Sequence, residues 1–242
     1  MTAIEGVSST IPCDERLIVA LDLPDADRAK SFVDLVGDSA SFYKIGLELF
    51  VAGGYFELLD WLTRRGKKVF VDLKFFDVPE TVRAAVRGLR NRGVTFATVH
   101  GNQAMLEAAG RDKGEVKILA VTVLTSLDRG DLDDLGFRCD VEKLVLSRAR
   151  RALEAGCDGV ISSGIEVPAI KREIGNRVIV VTPGIRPVEN RPADDQKRTV
   201  DVAQAFANGA DYIVVGRPIR QAKDPRAAAA AIQRTIASIF SS

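Results

Sequence analysis

Acids and bases alternate at three places in this chain where short β-branched runs end. ALD (20–22) closes on Asp22, YKIG (43–46) holds Lys44, and VDLKFFD (71–77) holds Asp72, Lys74 and Asp77. Side chains alternate along a strand, so Asp72 and Lys74 are expected to share one face. Burying charge costs several kcal/mol per ion unless it is paired. An acid–base set on three consecutive strands therefore points to use, against the alternative of solvated strand ends or structural ion pairs. Opposite charge on both sides favours the ammonium form of Lys74, whereas a Schiff-base lysine needs surroundings that disfavour it. A proton donor beside fixed negative charge suits a reaction that generates and quenches a carbanion. The carboxylates could instead hold Mg²⁺, but the interleaved ammonium groups oppose a cation there.

A second set lies late in the chain. VTPGIRP (181–187) supplies a turn at Pro183 and Gly184 followed by Arg186, and DYIVVGRPI (211–219) supplies Gly216, Arg217 and Pro218. An arginine beside a glycine turn is suited to phosphate, which guanidinium binds in bidentate fashion. The polar connection RPVENRPADDQKR (186–198) is long, with Arg186 and Gln196 near its ends. Such connections often serve as lids, and bound phosphate could draw this one closed. His100, the single histidine, is expected to be a packed or hydrogen-bonded structural residue. Thr125 and Ser126 could contact a ligand or stabilise a turn.

The elements that must position these groups recur with one rhythm. Strand-like runs occupy 16–21, 41–45, 68–73, 95–100, 116–123, 158–163, 177–182 and 211–216. Several are continuously apolar, as in parallel strands covered on both faces. Between them lie helix-length segments such as ELFVAGGYFELLDWLTRRG and PETVRAAVRGLRNRG, with Gly66, Gly93 and Gly156 where helices would end. Eight strand–helix units without a linker predict a single (β/α)8 TIM barrel over 16–242, preceded by an N-terminal extension, 1–15. A doubly wound sheet is the competitor, but its nucleotide fingerprints G-x-G-x-x-G and G-x-x-x-x-G-K-[ST] are absent. In a barrel, strand C-termini carry the catalytic groups, and the loops after strands seven and eight commonly bind phosphate.

Composition narrows the classes further. The chain has 242 residues, with 34 basic against 33 acidic side chains, so it lacks the broad positive field of a nonspecific nucleic-acid binder. No apolar run reaches the length of a membrane helix, and no secretion signal is evident. Cys13, Cys139 and Cys157 are far apart and odd in number, which fits neither a disulfide framework nor a zinc site. A cytoplasmic protein that binds neither nucleic acid nor membrane is expected. With one histidine, H-E-x-x-H metalloenzymes are excluded.

The segment DLKFFDVPET (72–81) resembles the D-x-K-x-x-D-[IV]-x-x-T signature of orotidine 5′-phosphate decarboxylases. VALD (19–22), YKIG (43–46), VTVLTS (121–126), VTPGIRP, DDQKR (194–198) and VVGRPI (214–219) follow in that family's order. The resemblance runs from about Arg16 to the end and matches the single-domain bacterial form. It implies decarboxylation of orotidine 5′-monophosphate to UMP without metal or organic cofactor. Asp22 and Lys44 would bind ribose hydroxyls. Lys44, Asp72, Lys74 and Asp77 would form a charged array, with Lys74 protonating C6. Substrate contacts would further include Val78, Thr81, Thr125 and Pro183, while Arg186, Gln196, Gly216 and Arg217 would hold the phosphate. Asp77 and the Thr81 region would enter the neighbouring subunit's site, making a homodimer the active unit. Phe76 stands where the family often has histidine. The sugar-phosphate branch of the superfamily looks similar at D-x-K-x-x-D but depends on Mg²⁺ and has an acid where this chain has Lys44. A non-catalytic pyrimidine-nucleotide sensor would have lost Lys74 or Asp72, and both are present.

Overall fold

The structure, a computed structural model, describes residues 11–186 and 197–240. Its eight strands are β1 (Leu17–Ala20), β2 (Phe42–Gly46), β3 (Lys68–Phe75), β4 (Val94–Val99), β5 (Lys117–Val121), β6 (Gly159–Ile161), β7 (Ile179–Thr182) and β8 (Tyr212–Val215). Each pairs in parallel with the next, and β8 returns to β1 through Leu17↔Ile213, Ile18↔Val214 and Val19↔Val215. The result is the expected closed barrel of eight parallel strands alternating with helices.

The helices, in chain order, are α1 (Ala26–Val36), α2 (Leu47–Ala52), α3 (Tyr55–Arg64), α4 (Pro79–Arg87), α5 (Gln103–Arg111) and α6 (Arg129–Asp134). They continue with α7 (Val141–Glu154), α8 (Val167–Ile174), α9 (Val202–Ala207), α10 (Arg217–Arg220) and α11 (Pro225–Phe240). Their ends follow local chemistry. The side chains of Asp25, Asn102 and Asp201 accept the backbone N–H groups of Arg28, Met105 and Gln204, capping α1, α5 and α9. Pro79 opens α4, where its missing N–H costs nothing. On α3, Tyr55, Leu58, Leu59 and Leu62 are buried, the i, i+3, i+4, i+7 stripe of a helix docked on a sheet.

Two helical segments differ from the sequence-based expectation. Residues 48–66 do not form one helix. The chain breaks at Gly53 and Gly54, whose φ of 87° and 70° lie in the region open to glycine. Residues 79–93 are helical only to Arg87, and turns carry the chain to β4.

Alternation along the strands separates two cores. Leu17, Val19, Tyr43, Ile45, Val69 and Val71 face outward against the helices. Ile18, Ala20, Phe42, Phe70, Phe96, Leu119, Val181, Tyr212 and Val214 fill the barrel interior. Phe96 packs edge-on against Phe70 and Tyr212, with centroids 6.0 and 5.1 Å away. At Gly159 a Cβ would lie 2.7 Å from Leu119 Cδ2 and press on the Ile179 carbonyl, so only glycine lets β6 approach its neighbours.

The N-terminal end of the barrel is sealed. Ile11 packs beneath the interior cluster, and Glu15 pairs with Lys68. Arg16 is 1% exposed. Its guanidinium lies 3.9 Å from the Phe240 ring centre and donates to the Asp211 carbonyl at 3.1 Å. The opposite end is left open.

Candidate active site

The inward rows of the first strands change from apolar to charged as they rise. β1 runs Ile18, Ala20 and then Asp22, β2 runs Phe42 and then Lys44, and β3 runs Phe70 and then Asp72. The Lys44 ammonium lies 2.9 Å from Asp22 Oδ1 and 3.4 Å from Asp72 Oδ2. Lys74 Nζ lies 2.9 Å from Asp72 Oδ1. The four groups form one chain of alternating charge, Asp22–Lys44–Asp72–Lys74.

Its two central members are withdrawn from water, at 11% side-chain exposure for Lys44 and 12% for Asp72. Lys74 and Asp22 are more open, at 33% and 39%. Burial pulls the Lys44 pKa down, but Asp72 and then Asp22 more than offset it and leave the group above its ordinary value. For Asp72, burial pushes upward, and the ammonium groups of Lys44 and Lys74, with hydrogen bonds from Lys74 and Thr98, overcome it and hold the carboxyl below its usual range. Both groups are thus fixed in their charged forms.

Asp72 and Lys74 meet by a route that strand alternation does not describe. The four-residue step from Val71 to Phe75 on β3 faces the two-residue step from Ala97 to Val99 on β4, so β3 bulges at these residues. Lys74 has φ of 48°, the left-handed region that non-glycine residues rarely enter.

Above this array is a cavity of about 360 Å³. Asp22, Lys44, Asp72 and Lys74 line it on one side, and Thr125, Pro183, Arg186, Gly216 and Arg217 on the other. Residues from both ends of the chain, singled out by type and spacing, therefore converge on one chamber. Three others do not line it. Asp77 is exposed and accepts the Val78 N–H at 2.6 Å, and Val78 and Thr81 are exposed at the start of α4. Gln196 lies outside the described residues, as does most of the expected lid, 187–196. His100 is half-buried. It stacks edge-on against Phe76 at 5.5 Å, and burial, then Arg148 and Lys74, push its imidazole below the ordinary value.

Both stems of that connection are held. Ile185 bridges Val200, and Arg186 N–H donates to the Val200 carbonyl at 2.9 Å. On the far stem, Lys197 pairs with Asp128 and Asp131 at 2.7 and 2.9 Å. Arg198 pairs with Glu166 and donates to the carbonyls of Val123 and Leu124 at 3.0 and 2.9 Å. This stem is thereby tied to the β5 loop that lines the cavity.

Sequence reasoning missed the apolar floor and Arg220 on the cavity wall. Inward parity from Ala20 and Phe70 would have found part of the floor. It also missed Thr98 and the Glu166–Arg198 pair, for which the local sequence carries no signal. Among the described residues, no group of three or more His, Cys, Asp or Glu side chains comes together as a metal site, and no helix is long and apolar enough to cross a membrane. The only acids in the array, Asp22 and Asp72, are both engaged by lysines.

Comparison with known proteins bears on this geometry. Residues 15–232 match the model of the orotidine 5′-phosphate decarboxylase / HUMPS family. The chain is 67% identical over 230 residues to an orotidine 5′-phosphate decarboxylase of Methylococcus capsulatus, covering 95% of each chain. It is 55% identical to one from Stenotrophomonas maltophilia, covering 93% of this chain and 94% of that one. The crystal structure of orotidine 5′-phosphate decarboxylase from Lactobacillus acidophilus superposes with a TM-score of 0.81 at 36% identity, covering 92% of this chain and 99% of the other.

Proposed function

Because this chain belongs to the orotidine 5′-phosphate decarboxylase / HUMPS family, we propose that it decarboxylates orotidine 5′-monophosphate to UMP and CO₂ in pyrimidine biosynthesis. The observation that carries this reading is the alternating array Asp22–Lys44–Asp72–Lys74 along one side of a cavity with arginines at its other side. The family also includes a sugar-phosphate branch, and Lys44 speaks against it. An ammonium bound to both Asp22 and Asp72 occupies the place where that branch would present an acid to Mg²⁺.

In the proposed reaction the bond from C6 to the carboxylate breaks, its electron pair stays on C6, and CO₂ leaves. The Lys74 ammonium stabilises the growing negative charge and delivers its proton to C6, and the amine is reprotonated from water. Asp72, kept ionised by its two lysines, opposes the substrate carboxylate in the ground state and holds the Lys74 ammonium at 2.9 Å. Asp22 and Lys44 hold the ribose hydroxyls. Thr125 and Pro183 contact the base side, and Arg186, Gln196, Gly216 and Arg217 hold the phosphate. Phosphate contacts far from C6 stabilise the closed site, so that their binding energy serves the chemical step.

The second part of the proposal is a cytoplasmic homodimer with shared sites and no metal or organic cofactor. Asp77, Val78 and Thr81 are exposed and do not line their own cavity, which supports their acting in the partner's. Leu47, Phe50 and Val51 on α2, with Phe76 and Val78 after β3, are 47–83% exposed. So many large apolar side chains on two adjacent units of the barrel suit a protein interface. The decisive assay follows the loss of orotidine monophosphate absorbance with and without EDTA. Turnover untouched by chelation is expected. A folded dimeric sample without turnover would overturn the reading, and Mg²⁺-dependent activity on a sugar phosphate would replace it.

A further inference from the structure

Thr98 is fully buried and is the one β4 residue between the two pairs, Val71↔Ala97 and Phe75↔Val99, that flank the β3 bulge. Its Oγ1 donates to Asp72 Oδ1 at 2.9 Å and accepts the Lys74 backbone N–H at 3.0 Å. A hydroxyl has one proton to give and lone pairs to receive, and both capacities are used here on the two charged residues beside it. We infer that Thr98 is a positioning residue for the proposed decarboxylation, holding the Asp72 carboxylate and the left-handed backbone of Lys74 in register.

The physical argument starts from the strain at Lys74. A non-glycine residue at φ 48° is strained and is held there only when its surroundings over-determine it. The bulge removes Lys74 from the regular ladder, and the Thr98 hydroxyl supplies the acceptor that its N–H needs. Through the same oxygen it fixes the carboxylate oxygen that Lys74 Nζ also binds. One side chain therefore sets both ends of the Asp72–Lys74 pair. The distance from Nζ to a reacting carbon depends on this setting, and a misplacement of about 1 Å can cost about a hundredfold in rate.

The test is Thr98→Val, which keeps the shape and removes both hydrogen bonds, with Thr98→Ser as the variant that restores them. In Thr98→Val, kcat should fall about 10- to 100-fold, while KM and the affinity for UMP stay within about threefold. In Thr98→Ser, kcat should return to within a few-fold of the parent. Unchanged kcat in the valine variant, or equal losses in kcat and UMP affinity, would overturn the inference. If the valine variant does not fold, Thr98→Cys, with its weaker donor, must show the same selective loss in kcat.

The inference rests on the proposed function, so a readout independent of turnover is needed. Carboxyl NMR of Asp72 supplies it. The charged groups around that carboxyl are Lys44 and Asp22 from the preceding strands and Lys74 on its own strand, with the Tyr55 hydroxyl from α3 nearby. All of these groups are retained in Thr98→Val, and the lost hydrogen bond together with the loosened Lys74 pairing should move the Asp72 titration upward. An unmoved titration overturns the positioning role. Absence of turnover in the parent protein overturns the function instead.

Discussion

Replacing Lys74 by alanine separates chemistry from binding and from folding. The magnitude follows from the array. A carbanion at C6 about 4 Å from the ammonium is stabilised by about 4 kcal/mol at an effective dielectric near 20, or about three decades of rate. General-acid delivery of a proton is worth about two to four decades. The two effects overlap, because the same proton carries the charge and quenches it, so a loss of about four to six decades in kcat is expected. Folding should survive. Asp72 keeps Lys44 at 3.4 Å and Thr98 at 2.9 Å, and Lys74 is one-third exposed, so solvent screening holds the stability cost to about 1 kcal/mol. Alanine also retains a Cβ at the left-handed position, so backbone strain is unchanged. The assay is orotidine monophosphate absorbance under single-turnover conditions, beside a UMP binding isotherm. Residual activity within about a hundredfold of the parent, in a variant that still binds UMP, would refute Lys74 as the proton donor.

Three further outcomes are expected. Arg217→Ala should weaken UMP binding about 10- to 100-fold, as befits the loss of a charge-assisted hydrogen bond, and leave uridine binding unaltered. Unchanged UMP affinity would move the phosphate elsewhere. Mixing Lys74→Ala with Asp77→Ala protein should restore activity through hybrid dimers that contain one intact site. No recovery despite demonstrated subunit exchange would remove the shared site. The third outcome concerns acid. Asp72 is held below the ordinary carboxylate range in the folded protein, so its contribution to stability is fully present above about pH 4 and is lost as the pH falls through the lower, folded value. In urea titrations, Asp72→Asn should therefore be less stable than the parent by a constant amount above about pH 4, with the gap closing below. A gap unchanged down to pH 3 would contradict that account.

Much of this architecture was legible in the amino-acid order because it depends on local rules. Eight β-branched runs separated by amphipathic stretches define strands covered on both faces, and eight such units without the fingerprints of a doubly wound sheet favour a closed barrel. Charges at the ends of such runs must lie at the C-terminal mouth, so Asp22, Lys44, Asp72 and Lys74 could be assigned to one site without coordinates. The glycine–arginine turns at 184–186 and 216–217 were legible on the same ground.

What tertiary structure decided is everything that depends on a neighbour far along the chain. Alternation placed Asp72 and Lys74 on one face. It could not reveal that β3 bulges between Val71 and Phe75, since a bulge is defined only against the partner strand. Thr98 is an unremarkable residue in a β-rich run until β4 lies beside that bulge. Arg198 gains meaning only when Glu166 and the Val123 and Leu124 carbonyls, distant in sequence, surround its guanidinium. Residue type and period determine which groups are available and on which end of the barrel they emerge. The closure of the sheet determines which of them touch, because contact energies between buried charges fall steeply with distance and are set by packing that no local pattern encodes.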